Sequence, residues 1–193
     1  MTYLILGLAV FLGVHSVRMF AAAWRERQIS RLGRSRWRAI YALLSLIGFG
    51  LIVWGFGLAR ETPVQLWGPP PGMRHLAALL NLLAFVLLAG AYVPGNQIKA
   101  RVQHPMVLGV TLWALGHLLA NGNVAHVVLF GSFLLWAVAD FAAARWRDRL
   151  GPAVPSEPTQ NGATGIAVAI GVASWMALTL WLHGLLIGVR PLG

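Results

Sequence analysis

The stretch PMVLGVTLWALGHLLANGNVAHVVLFGSFLLWAVADFAAA, residues 105–144, contains two long apolar runs. Each run approaches the roughly 20 residues that a helix needs to cross a hydrocarbon core about 30 Å thick. Asn121, Gly122 and Asn123 separate the runs, a composition typical of a tight turn between antiparallel helices. The alternative is one long broken helix. The stretch therefore indicates a pair of neighbouring transmembrane helices.

The composition of the whole chain is that of a membrane protein. Of its 193 residues, 58% are hydrophobic and only 10% are charged, and the mean hydropathy is +0.71. Soluble domains contain roughly a quarter charged residues. A domain of this size is mostly surface and cannot bury so many apolar side chains. The first partner we expect for this chain is therefore the lipid bilayer.

Six apolar segments extend the pattern to the rest of the chain. They cover residues 2–23, 37–59, 75–93, 105–120, 124–144 and 164–189, and each is long enough, or almost long enough, to span a bilayer. These segments predict an all-α, polytopic transmembrane bundle of about six helices. We expect five spans in residues 1–150, a polar linker at 151–163 and a sixth helix of the same domain at 164–193.

Basic residues concentrate on one predicted face of the bundle. The first, third and fifth connections carry most of them, namely Arg25, Arg27, Arg31, Arg34, Arg36, Arg38, Lys99, Arg101, Arg145, Arg147 and Arg149. The opposite connections and the C-terminal tail carry only Arg60, Arg74 and Arg190. Because short cytoplasmic loops are rich in Lys and Arg, we predict a multi-pass protein of the bacterial inner membrane with both termini outside the cytoplasm.

The residue types that are missing narrow the chemistry. No cysteine is present, which excludes disulfides, thiolate metal sites, iron–sulfur clusters and covalent c-type haem. The net charge of +10 comes without an aromatic-rich basic groove or a nucleic-acid motif, so we exclude nucleic acid as a partner. The apolar N-terminal run has no basic residue before it and arginines after it, the reverse of a cleavable signal peptide. We expect a retained helix.

Histidines are the main candidates for chemistry inside the spans. With 1.5 Å of rise per residue, His15 lies about 13 Å and His117 about 18 Å from the predicted cytoplasmic boundary, both near mid-membrane. A modest helix tilt would bring these two imidazoles to opposite faces of one metal, as in helical bundles that bind haem. Spacing alone does not identify haem, because a single histidine in a helix is more often a packing residue. His126 and His183 fall near the outer surface.

Four further residues are second-tier candidates for the site. His75 falls near the outer surface, where a histidine needs no special role. His104 lies at the inner edge, just before a proline that begins a helix, and a capping or headgroup contact explains it equally well. Asn81, in the middle of the third span, is either an interhelical hydrogen-bonding group or a pocket donor. Arg18 is expected to extend from the first span toward the inner headgroups.

Asp140 is the only acidic residue within a predicted span. Ionisable residues in membranes are costly, and they usually pair or serve a function. We expect an ion pair with an arginine, such as Arg145 or Arg18, rather than a proton relay. Small residues also lie near the two central histidines, where they would let a flat ligand approach the backbone or serve ordinary helix packing. They are Gly7, Gly13, Gly109 and Gly116.

Several segments resemble the NnrU family, bacterial membrane proteins associated with denitrification. They are His15-Ser16 followed by Arg18, Leu66-Trp67, His104-Pro105-Met106 and residues 115–122. The resemblance extends to about Arg149. It implies a role in supporting nitrite or nitric oxide metabolism.

The same segments are more distantly similar to the cis-ζ-carotene isomerases of plants and cyanobacteria, which are haem b proteins. That resemblance implies haem b as the cofactor, His15 and His117 as axial ligands of its iron, and a hydrophobic polyene as a possible partner. The NnrU resemblance implies nitric oxide as the other possible partner. It leaves the question of an enzyme open, with haem-dependent cis–trans isomerisation as the candidate reaction. Ala114 stands where the plant isomerases have a cysteine as an alternative ligand, so this chain cannot exchange a histidine for a thiolate.

Two other functions remain as alternatives. A membrane helix that starts with His-Pro, here His104 and Pro105, is also similar to integral-membrane methyltransferases that use S-adenosylmethionine, such as the isoprenylcysteine type. The paired glutamates expected after that motif are missing. The other alternative is a non-catalytic membrane scaffold or assembly factor, in which every histidine is structural.

Overall fold

The structure is a computed structural model that describes residues 1–151 and 158–192. Within these residues the regular elements are helical, and one isolated bridge joins Gln65 and Asn123. The helices are α1 Thr2–Phe20, α2 Ala22–Leu32, α3 Arg34–Ala59, α4 Met73–Tyr92, α5 Gln97–Val102, α6 Pro105–Ala120, α7 Val124–Leu150, α8 Asn161–Ala177 and, after a π-helical turn at Leu178–Leu182, α9 His183–Ile187.

Five helices are long and apolar enough to cross a membrane, and α6 is a shorter apolar helix. The five are α1, α3, α4, α7 and the continuous segment Asn161–Ile187. Only 11 to 22% of the residues in their apolar windows are buried, so most of their surface is suited to lipid. The prediction of a polytopic helical membrane bundle is confirmed. The alternative of one broken helix over 105–144 is wrong, because α6 and α7 are separate.

Successive spans run antiparallel. Gly55 lies beside Leu4 and Gly48 beside Phe11, so α3 runs back along α1. Ring contacts between α6 and α7 show the same reversal. With six passes, α2, α5 and the C-terminal part of α7 all lie at one end of the bundle, which we call the basic end. Met1 and the end of α9 lie at the opposite end.

The short helices α2 and α5 were not predicted. Ala21, with φ −137° and ψ 40°, interrupts the first helix at Phe20, before the expected end at residue 23. The arginine-rich segment that follows forms a separate helix, because Ala, Arg, Glu and Gln are strong helix formers. This helix is capped by Gly33, whose φ is +79°. No residue of α2 is buried. It has the character of a basic helix that lies in the headgroup region.

Glycines allow α1 and α3 to touch through their backbones. A Cβ at Gly55 would lie 2.2 Å from the backbone nitrogen of Leu4, and one at Gly7 would lie 2.6 Å from that of Ile52. Gly48 makes a similarly close approach. Membrane helices pack tightly where small residues face each other. The register of α1 against α3 is therefore set by residues that cannot be enlarged.

The loop after α3 packs on the turn between α6 and α7. The backbone N–H groups of Leu66 and Trp67 donate to the Gly122 carbonyl at 2.7 and 3.1 Å, and the Val124 N–H donates to the Val64 carbonyl at 2.9 Å. A Cβ at Gly122 would lie 1.9 Å from the Trp67 carbonyl oxygen. This contact joins the loop after α3 to the α6–α7 turn at the end opposite the basic end.

The last helix begins at Asn161, three residues before the predicted start at 164. The Gln160 N–H donates to the Gly95 carbonyl at 2.8 Å, and the Gln97 Nε2 donates to the Asn161 Oδ1 at 2.5 Å. These bonds attach the described end of the predicted linker to the turn between α4 and α5. Residues 152–157 of that linker lie outside the described residues.

Replacing Gly55 tests the backbone contact between α1 and α3. Gly55→Ala is expected to lower the free energy of unfolding by about 1–3 kcal/mol, the usual cost of overpacking. Gly50→Ala is the matched control in α3, because a Cβ there has nothing within 4 Å and alanine is the better helix former. Thermal unfolding in detergent, followed by circular dichroism, compares the two. Equal unfolding temperatures would contradict the contact.

The cysteine-free chain also allows a direct test of the predicted orientation. Gly68→Cys and Arg36→Cys place single thiols at opposite ends of the bundle. We expect a membrane-impermeant maleimide to label Gly68→Cys in cells with a permeabilised outer membrane, and Arg36→Cys only after the inner membrane is opened. The reverse pattern would invert the orientation. Labelling of both from outside would contradict the antiparallel arrangement.

Candidate functional site

The structure separates the two histidines that were expected at mid-membrane. The His15 ring lies 6.2 Å from the Trp136 ring, whereas the His117 ring lies 4.4 Å from the Phe130 ring. Trp136 and Phe130 are six positions apart on α7, about 9 Å along the axis. Since α7 runs toward the basic end, His15 lies nearer that end than His117 does.

Aromatic rings fill the space between the two imidazoles. Ring-centroid distances are 4.2 Å from His15 to Phe11, 5.9 Å from Phe11 to Phe133, 5.3 Å from Phe133 to Trp113, and 5.3 Å from Trp113 to His117. The three intervening rings pack against the hydrophobic core. Imidazole nitrogens bind a metal from about 2 Å. An iron shared by both histidines would require these rings to move.

Each of the two imidazoles is oriented by its own helix. The Nδ1–H of His15 donates to the Phe11 carbonyl at 2.7 Å, and the Nδ1–H of His117 donates to the Trp113 carbonyl at 2.8 Å. A carbonyl only accepts, so in the neutral ring the lone pair is on Nε2. Histidine ligands of metals are commonly oriented by such a bond. Both residues therefore have the tautomer that a metal ligand needs.

His15 lines a cavity of about 980 Å³ at the basic end. The walls come from α1, α2, α3, α6 and α7 and include apolar side chains, among them Val14, Val17, Ile29, Val107 and Val110. Charged side chains from α2, the start of α3 and the end of α7 complete it. A volume near 1,000 Å³ is at the upper end for ligand pockets. The lining suits a molecule with an apolar body and acidic groups.

Arginines outnumber acidic residues in this cavity by five to three. All three acidic residues are already paired, in Arg25–Glu26 at 2.5 Å, Arg147–Asp140 at 4.0 Å and His104–Asp148 at 2.7 Å. Among residues 1–151 and 158–192, no carboxylate lies within 4.0 Å of the other three cavity arginines, Arg18, Arg34 and Arg38. The cavity therefore has an excess of unpaired positive charge.

Asp140 has a different partner from the one expected. Its Oδ1 lies 4.0 Å from the Nη2 of Arg147, which is two helical turns away on the same face of α7. Arg145 lies 4.0 Å from Asp148 instead, and within the described residues Arg18 forms no ion pair with either acid. The expected ion pair with an arginine is therefore present, but the partner is Arg147 and neither of the two arginines named as examples.

Two second-tier candidates share the cavity with His15. The Nε2–H of His104 donates to the Asp148 Oδ2 at 2.7 Å and so joins the start of α6 to the end of α7. Its side chain makes no capping bond to α6. Arg18 is exposed, as expected for a side chain that reaches the headgroups, and it also lines the cavity.

The remaining candidates lie outside the cavity. Asn81 donates to a carbonyl one turn earlier in α4 and packs against Gly116 of α6, so it serves helix packing. His75 is exposed at the start of α4, at the end opposite the cavity. His126 and His183 make local hydrogen bonds near that same end. In the described part of the chain, no group of three or more metal-ligating His, Asp or Glu side chains is present.

Helix packing also accounts for most glycines near the histidines. A Cβ at Gly7, Gly109 or Gly116 would meet atoms of a neighbouring helix within 3.0 Å, and only Gly13 has open space around it. Of the two roles considered for these glycines, helix packing is the one that the contacts support. A flat ligand would gain room from Gly13 alone.

Tyr41 and Trp136 were missed by the sequence analysis. Their rings stand edge-on to the His15 ring, at 5.3 and 6.2 Å. No sequence motif identifies these two residues, because aromatic residues are common in membrane spans. A different rotation of α3 or α7 would place other side chains beside His15. The only available signal was their position, near the level of His15 in spans that neighbour the first.

Together, the fold and the cavity define a class: a multi-pass helical membrane protein with an arginine-rich, partly apolar cavity at one end. The chain matches the family model described as NnrU protein over residues 3–191 and belongs to the NnrU family. No curated protein and no solved structure matches it. The family match continues past Arg149, where the resemblance was expected to stop, and includes the last span.

Proposed function

We propose that this NnrU-family protein binds haem b in the bacterial inner membrane and supports nitrite or nitric oxide metabolism. The observation that carries the proposal is the placement of His15. Its imidazole forms part of the cavity wall, and the bond from Nδ1 to the Phe11 carbonyl leaves Nε2 for a metal. The metabolic role is what the resemblance to the NnrU family implies.

The residues around His15 fit a haem. Phe11 stacks on the imidazole at 4.2 Å, and Tyr41 and Trp136 pack against it edge-on, so the ring plane is restrained. The valines of α1 and α6 offer an apolar wall that excludes water, and the cavity arginines offer partners for two carboxylates. When bound, haem would supply an iron that exchanges single electrons and binds nitric oxide.

His117 is the predicted second ligand of the iron, and it stays a prediction. Its Nε2 is available, but the rings of Phe133 and Trp113 would have to move before both histidines reached one iron. His104 and Met106 line the same cavity as His15 and carry atoms that bind haem iron in other proteins. The Nε2 of His104 is occupied by Asp148.

The competing functions have less support. A methyltransferase would hold S-adenosylmethionine, whose sulfonium is positively charged, in a cavity where arginines outnumber acids by five to three. Redox-dependent isomerisation of a polyene by ligand exchange would need a thiolate, and Ala114 is fully buried in the core at that position. Haem binding uses the cavity arginines and the oriented imidazole of His15, which have no role in methyl transfer or in isomerisation by ligand exchange.

An absorption spectrum of the purified protein tests the proposal. We expect a Soret band and sharp bands on reduction after haem is supplied, with the signal lost in His15→Ala. His75→Ala is the control, because it lies at the opposite end of the bundle. If His117 is the second ligand of the iron, His117→Ala should alter the spectrum. An unchanged spectrum would mean that another residue is the second ligand.

The same experiment can refute haem binding. A protein that stays colourless after haem supplementation, although folded by circular dichroism, would leave the scaffold alternative. A Soret band that survives in His15→Ala would place haem elsewhere in the bundle and remove the cavity from the proposal.

A further inference from the structure

Three arginines of the cavity have no acidic partner in the described part of the chain. They are Arg18 of α1 and Arg34 and Arg38 of α3. Every acidic residue in the cavity is already engaged by another base. A guanidinium that is free of carboxylates and lies beside apolar surface is well suited to bind an oxyanion, because its planar N–H groups donate in pairs.

The position of these arginines relative to His15 follows from the glycine contacts. Those contacts set a register in which Leu44 of α3 is level with His15. Arg38 and Arg34 therefore lie about 9 and 15 Å closer to the basic end than His15, at 1.5 Å per residue. Arg18 follows His15 by one helical turn on α1. All three arginines thus lie on the headgroup side of His15.

We infer that Arg18, Arg34 and Arg38 form an oxyanion site for the acidic groups of an amphiphile whose apolar body lies along the cavity wall. Two molecules could supply this chemistry. One is haem, which would bind through its two carboxylates, and in that case the inference rests on the proposed function. The other is an anionic phospholipid of the adjacent leaflet, which would bind through its phosphate. In that case the inference is independent of the proposed function.

The chain provides a matched control for this site. Arg31 and Arg36 are exposed and belong to the same segment, but they do not line the cavity. Arg34→Gln/Arg38→Gln and Arg31→Gln/Arg36→Gln remove the same charge from neighbouring positions. Any difference between the two variants therefore reports on the cavity and not on the overall charge of the basic end.

The first arm titrates the purified full-length protein with haemin and with haemin dimethyl ester, which has no free carboxylates. If haem is the ligand, the cavity variant should bind haemin roughly tenfold more weakly, about the loss of one charge-assisted hydrogen bond. The control variant should match the wild type. All three proteins should bind the ester equally, because its binding does not use the arginines.

The second arm measures retained phospholipid by native mass spectrometry, after exchange into micelles with phosphatidylglycerol or phosphatidylcholine. If a phospholipid is the ligand, the amount of bound phosphatidylglycerol should fall roughly tenfold in the cavity variant and stay unchanged in the control variant. Phosphatidylcholine should be retained poorly by all three proteins, because the unpaired arginines repel the choline cation that is attached to its phosphate. This arm needs no haem, so it can succeed when the proposed function fails.

The inference is overturned if the cavity and control variants behave alike in both arms, whether both match the wild type or both are weakened. Circular dichroism checks that each variant is folded. Should the glutamine variant not fold, Arg34→Lys/Arg38→Lys keeps the charge and removes only the paired donors. The site then predicts a partial loss of the bound ligand, and wild-type binding would contradict it.

Discussion

The backbone contact between α1 and α3 is the constraint on which the rest of this structure depends. Gly7, Gly48 and Gly55 let the two helices touch without intervening side chains, and such a contact permits only one register. That register brings Tyr41 to the ring of His15. It also places the arginines of α3 at the headgroup side of the same cavity. A small sliding of α1 along α3 would remove both features at once.

The aromatic core then divides the histidines into two environments. Phe11, Phe133 and Trp113 pack against one another between His15 and His117, so the first histidine meets the cavity and the second meets the ring of Phe130. The tautomer that both rings adopt is set by the carbonyl one turn earlier. Local structure thus orients both imidazoles in the same way, and packing gives them different neighbours.

The spans were predictable because their signal is local. About 20 apolar residues in a hydrocarbon core must form a helix, since no other single segment satisfies its own backbone hydrogen bonds there. Prediction failed where the polarity changes. The arginine-rich connection after α1 is a helix because its residues favour one, although its charge indicated a loop. Asp140 of α7 pairs with Arg147, because the helical register decides which basic residue lies on the same face as the acid.

The candidate site shows the same division between sequence and structure. His15, His104 and Arg18 were identifiable because a histidine or arginine in or beside an apolar span is unusual by itself. By itself, then, the sequence determined the class of protein, the six apolar segments that become its long helices, and which polar residues are exceptional. Only the tertiary structure decided that His15 contacts Tyr41 and Trp136 and shares a cavity with unpaired arginines while His117 does not. The physical reason is that the rotation and register of each helix depend on close contacts between segments far apart in the chain.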